Sequence, residues 1–157
     1  MGEGEVRERL ERALRRLLEA DRYLLENDLS ERCIAARLAM YLRDEFDEHD
    51  VDVEYNRAGD VAKRLRGLPK ECYRRRNRQI EAPVAVPDVI VHHRGSGGPN
   101  LLVIEMKKTS NPAGKNCDRL RLAAFREQLG YRFGALVECE TESPNEPAIG
   151  IAAWVAG

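Results

Sequence analysis

Three residues near the middle of the chain have types and spacing that suit metal-assisted chemistry: Asp88, Glu105 and Lys107. Glu105 and Lys107 close the apolar run Leu101-Leu102-Val103-Ile104-Glu105-Met106-Lys107. An extended chain sends alternate side chains to opposite faces. Glu105 and Lys107 therefore share one face, with Cα atoms about 6.5 Å apart, while Ile104 and Met106 point the other way. Charges at the end of an apolar strand are partly desolvated and need partners. Asp88 interrupts the preceding apolar run, Val84 to Val91, and the turn Arg94 to Asn100 separates the two runs. Strands joined by a short loop are usually neighbours, so a hairpin brings Asp88 toward Glu105. Two adjacent carboxylates repel unless a cation bridges them. Mg²⁺ or Mn²⁺, hard ions with oxygen ligands, would bridge this pair. Such an ion acidifies a bound water and offsets charge on a phosphoryl oxygen, and Lys107 is placed to orient or deprotonate that water. The same residues also fit a simpler arrangement, a buried salt bridge from Lys107 to Asp88 or Glu105.

The elements that must hold these residues can be read in outline. Val6, Leu10, Leu14, Leu17, Leu18, Leu24 and Leu25 recur at helical spacing, which predicts a helix over 5–26. Ser30 suits the N-cap of a second helix over 31–46. Val51 to Asn56 alternates apolar and polar residues, as a half-buried strand does. The run 84–91 reads as a strand covered on both faces, with Pro87 marking a bulge or an edge inside it. A third strand covers 101–106. Residues 115–129 are helical, with Cys117, Leu120, Ala124 and Phe125 on one side and Gly130 as the terminating glycine. Two last strands cover 131–139 and 149–155. The order is α, α, β, β, β, α, β, β, which predicts an α/β (α+β) fold with a central mixed sheet of about five strands.

These residues resemble a known family. Pro87-Asp88 followed by Glu105-Met106-Lys107 is similar to the motif of the PD-(D/E)XK nuclease superfamily, the restriction-endonuclease-like fold. The core of that fold is a helix, a three-strand meander, a helix and further strands, which matches residues 30–155 in order. The resemblance implies that Asp88 and Glu105 hold the metal, with the Met106 carbonyl as an extra ligand, and that Lys107 is the catalytic lysine. Members often carry a further acid on the helix before the meander, which maps to Glu31. Glu31 equally suits the positive end of its own helix. Glu54, on the polar face of the first strand, is its rival. Several segments also resemble small bacterial or phage proteins of this fold, a likeness that implies no substrate. The activity implied is that of a metal-dependent nuclease, with DNA as the expected substrate. The alternative is an inactive nucleic-acid-binding module, or a subunit that acts only with a partner.

A polyanion has an obvious place to bind. Residues 63–78 hold eight basic side chains, Lys63, Arg64, Arg66, Lys70, Arg74, Arg75, Arg76 and Arg78, against a single acid, Glu71. Arg and Lys contacts to phosphate supply most sequence-independent affinity for nucleic acid, and Tyr73 could stack on a base. A solvated loop that only adds solubility has the same composition. Lys115, Arg119, Arg121 and Arg126 on the later helix are either further phosphate contacts or ordinary solvent-side charges. His92 and His93 read as structural or exposed, and His49 in its acidic turn carries no chemistry.

The remaining composition narrows the class. The chain has 157 residues, 43% hydrophobic and 34% charged, with a formal net charge of −1. That suits one nuclease-like domain over 1–157, with 5–26 as a helical extension and 57–82 as a basic insertion. The extension could pack on a second copy or on another protein. The four cysteines are too far apart for a CxxC pair and read as small buried thiols in a reducing cytosol. The N-terminus is charged from Glu3 onward and lacks the apolar core of a signal peptide. No run is apolar and long enough to span a bilayer, so the expected location is the cytoplasm, away from membranes.

Overall fold

The computed structural model describes residues 1–55, 57–58, 61–62, 65–73, 86–95 and 99–157, excepting the side chains of 57, 58, 61, 62 and 115. Its first helix, α1 (Glu3–Ala20), buries Val6, Leu10, Ala13, Leu14 and Leu17, a stripe at helical spacing. The long helix expected over 5–26 is broken. Asp21 leaves helical geometry, and its carboxylate accepts hydrogen bonds from Arg37 Nε at 3.0 Å and from the Tyr41 hydroxyl. A short α2 (Arg22–Glu26) follows. Ser30 caps α3 (Glu31–Glu45) as expected, its Oγ accepting the Cys33 N–H at 3.1 Å.

Among the described residues, five strands form one mixed sheet in the order β1 (Asp50–Val53), β4 (Val89–His92), β5 (Leu102–Lys108), β6 (Phe133–Glu140), β7 (Ala148–Ala156). The meander β1–β4–β5 is antiparallel, β6 runs parallel to β5, and β7 returns antiparallel. The parallel step needs a crossover, which α4 (Lys115–Leu129) supplies. Gly130 ends α4 at φ 72°, a left-handed position that glycine adopts without strain. Between β1 and β4, two-residue strands β2 (Arg57–Ala58) and β3 (Val61–Ala62) pair with each other, and a 3₁₀ turn covers Lys70–Cys72.

Two boundaries moved for identifiable reasons. β1 stops at Val53 because Glu54 takes φ 49° and turns the chain away, its N–H donating to the Asp88 carbonyl at 3.2 Å. β4 starts only at Val89, so Asp88 precedes the strand rather than sitting inside it. Pro87, which has no N–H to offer a ladder, lies just outside the pairing; residues 84 and 85 lie outside the described residues.

The sheet is covered on both sides. Val89, Val91, Leu102, Ile104 and Met106 pack with α1 and α3, while Ile90, Val103 and Leu136 pack with Leu122 and Phe125 of α4. The mixed five-strand sheet flanked by helices, with an extra N-terminal helix, is the architecture the element order implied. The apolar stripe of α1 is spent inside the molecule, against α3 and β7. No described helix is long and apolar enough to cross a membrane.

The cysteine expectation fails for two of the four residues. Cys72 and Cys117 form a disulfide that ties the 3₁₀ turn to the first turn of α4 across 45 residues of sequence. Spacing rules see only close pairs, and this pair is made by the fold. Cys33 and Cys139 are free thiols, and burial pushes Cys139 up to about 12.

Candidate active site

β4 and β5 pair with Val89 opposite Ile104 and Ile90 opposite Val103. Continuing that register by one residue sets Asp88 opposite Glu105. The Asp88 carboxylate reaches the next strand directly, with Oδ2 accepting the Met106 N–H at 2.7 Å. By alternation Asp88, Glu105 and Lys107 fall on the face with Ile90 and Val103, toward α4. All three are buried, at 8%, 0% and 7% exposure. The hairpin thus brings together the three residues singled out by sequence.

Their partners come from α4 and the loop before it. Lys107 Nζ donates to the Ala113 carbonyl at 2.8 Å and lies 3.1 Å from Asp118 Oδ2. Arg121 Nε approaches Glu105 Oε1 at 3.4 Å, and its Nη2 donates to Asp118 Oδ1. Its Nη1 donates to the Cys72 carbonyl at 3.0 Å. Gly114, at φ 82°, turns the loop into α4; a Cβ there would stand 3.7 Å from Lys107 Nζ. Lys107 is thus in a buried ion pair, but with Asp118, whereas the sequence pointed to Asp88 or Glu105 as its partner.

No family model, curated protein or solved structure matches the chain. The site's chemistry must be argued from its own atoms.

The donor set suits a hard divalent ion. It consists of carboxylate oxygens from the residue before β4 and from β5, and a carboxylate offers about four lone-pair sites, more than one hydrogen bond uses. The Met106 carbonyl leaves β5 on the same edge as its N–H, the edge where Asp88 lies. A closed cage is not what these residues build: no group of three or more His, Cys, Asp or Glu side chains placed to hold a metal occurs among the described residues. Mg²⁺ is commonly bound by one or two carboxylates and keeps several waters, so two acids suffice for it.

The other candidates divide. Glu31, at the start of α3, reaches across to β5, where its Oε2 accepts the Lys108 N–H at 3.1 Å. Glu54 sends its carboxylate to Arg32 at 3.1 Å, although its own N–H touches the Asp88 carbonyl. Of the basic stretch, Arg66 and Lys70 are exposed. Lys63, Arg64, Arg74, Arg75, Arg76 and Arg78 lie outside the described residues. Tyr73 is held by its own segment, its hydroxyl donating to the Leu65 carbonyl at 3.0 Å and accepting from the Leu68 N–H at 3.3 Å. Its ring is half-buried against the α4-side core. His92 is structural, buried against Asp52 at 2.8 Å, and His93 stacks on His49.

Sequence reasoning missed Asp118 and mistook Arg121. The reading of α4 put Leu120 on the inner face, yet Leu120 is 37% exposed while Asp118 is fully buried and Arg121 nearly so. Periodicity that counts only apolar residues cannot see a buried face with charges in it. The usable signal was the spacing of Asp118 and Arg121 from Leu122 and Phe125, which places all four on one side of a helix. Glu138 was also passed over. It is the β6 partner of Lys107 in the parallel register, which puts the two side chains on the same face of the sheet.

Proposed function

We propose that this chain is a metal-dependent nuclease of the PD-(D/E)XK kind, hydrolysing phosphodiester bonds, with DNA as the first substrate to test. The observation that carries the reading is the meeting of Asp88, Glu105 and Lys107 on one buried sheet face across a single antiparallel register. Asp88, Glu105 and the Met106 carbonyl would hold Mg²⁺ or Mn²⁺. A bound ion supplies an acidified water and offsets charge on the phosphoryl group. Lys107 Nζ, on the same face two residues after Glu105, would hold that water or a non-bridging phosphate oxygen by hydrogen bonding. Arg66 and Lys70 are exposed, and Lys70 lies in the turn tied to α4 beside the site. Both suit contacts to a phosphate backbone, a term that weakens with salt.

A second reading has its own support. Lys107, Asp118, Arg121 and Glu105 form ion pairs with one another, so the cluster can stand as a satisfied network without turnover, as in a nucleic-acid-binding module. The test is cleavage of plasmid and single-stranded DNA with Mg²⁺, Mn²⁺ or EDTA, alongside Asp88→Ala and Lys107→Ala. Metal-dependent cleavage lost in both variants supports the nuclease. Retained binding with no cleavage under any metal supports the binding module.

A further inference from the structure

Asp118 and Arg121 are one helical turn apart on α4, so their side chains share a face. Asp118 is wholly buried and Arg121 is 6% exposed. Together with β5 they close a ring of charges: Lys107 to Asp118, Asp118 to Arg121, and Arg121 back to Glu105. The ring starts and ends on one strand, two residues apart. Burying four charges is costly, and a well-packed apolar face would serve packing at least as well. Leu122 and Phe125, on the same side of α4, already provide such a face. What the charges add is orientation. A lysine ammonium rides on a flexible four-carbon stem, and here two acceptors from the same short segment, the Ala113 carbonyl and Asp118, fix where it stands.

We infer that Asp118 is a positioning residue for Lys107, with Arg121 holding Asp118 and Glu105 in the matching orientation. The role rests on the nuclease reading for its kinetic consequence but not for its geometric one. Asp118 acts through its ion pair with Lys107. It aims the amine of Lys107 along the sheet face that Glu105 shares.

The experiment uses the full chain and the isosteric substitution Asp118→Asn, with Asp118→Glu as the charge-restoring variant. Under the cleavage conditions above, Asp118→Asn should lower kcat about 10- to 100-fold, the scale of a misplaced reacting group, with KM for DNA unchanged. Asp118→Glu should recover part of that loss. The double variant Lys107→Ala with Asp118→Asn should be no slower than Lys107→Ala alone, since a positioning residue acts through its partner. A second arm needs no catalysis: acylation of lysines by an amine-reactive ester, read by mass spectrometry, with exposed Lys70 as the internal reference. Losing one charge-assisted bond should speed labelling of Lys107 about tenfold in Asp118→Asn. Unchanged labelling together with unchanged kcat would overturn the proposal. So would a loss confined to KM or to thermal stability. If the wild type cleaves nothing, the nuclease reading fails and the labelling arm alone decides the positioning role.

Discussion

Strand β4 has a buried polar group at each end, and the two ends are built differently. Asp88 precedes the strand and His92 ends it. At the His92 end the network is local: Asp52 of β1 accepts from His92 Nε2 and Arg94 Nε, both at 2.8 Å, and pairs again with Arg94 Nη2. The edge of the Tyr55 ring closes on His92. Among the described hydrogen bonds of this cluster, the partners come from two neighbouring strands and their flanks. At the Asp88 end the contributors are two strands, a loop, α4 and a disulfide-tied turn. Both ends are buried, so burial does not separate them. The difference is that one cluster answers each charge across a strand pair, whereas the other gathers acids and bases from several layers onto one face. Cross-strand pairing is ordinary sheet stabilisation. Convergence of acids and a lysine from separate elements is what a site requires.

The sharpest way to break this contrast is to remove the charges at each end in turn. Asp88→Ala or Lys107→Ala should cut cleavage about 100- to 1,000-fold, the scale seen when a preorganised electrostatic group is lost, with the fold intact by circular dichroism. Next in size is the disulfide, which ties only the Asp88 end. Replacing Cys72 and Cys117 by serine should lower unfolding free energy by about 3–4 kcal/mol, the loop-closure value for a bridge of this span. Urea midpoints of the variant and the oxidised wild type measure it, and reducing agent should erase the difference. Asp52→Asn should cost about 1–3 kcal/mol of stability and leave cleavage per folded molecule unchanged. A drop in kcat for that variant would mean that the two ends are coupled.

The smallest effect is a matter of pH. Burial alone would raise the Asp52 carboxyl, but hydrogen bonds from Arg94 and His92 hold it below its ordinary value of 3.8. A depressed acid stabilises the fold above the unfolded value, and that contribution is lost as pH falls through the folded one. The stability gap between wild type and Asp52→Asn should therefore be widest near neutrality and shrink below pH 3.8. A gap that stays constant down to pH 2 would mean that Asp52 titrates as it does in the unfolded chain.

The contrast also explains what could be read from the sequence. Glu105 and Lys107 were legible because strand alternation is rigid, and Asp88 because a short turn favours a hairpin. Ser30 and Gly130 marked helix ends by capping chemistry that depends on one residue each. Asp21 broke a periodic helix because two residues of α3 bind its carboxylate, and no local pattern records that. The partners of Asp118 and Arg121 and the Cys72–Cys117 bridge were illegible for the same reason. Each is defined by contact between segments far apart in sequence, and the buried face of α4 carries charge where a periodic reading looks for leucine.

The hydrogen bond from Glu54 to the Asp88 carbonyl has a further consequence. The chain leaves β1 at Glu54 and returns at Asp88, so everything between is an excursion that begins and ends at a single bond. Between those ends the excursion is fixed a second time, where Leu65 and Tyr73 pack on the α4 side of the sheet and Cys72 is bridged to Cys117. An exchange of this segment would have to keep Leu65 in the core and Cys72 at its bridge, so that Arg121 keeps its carbonyl partner.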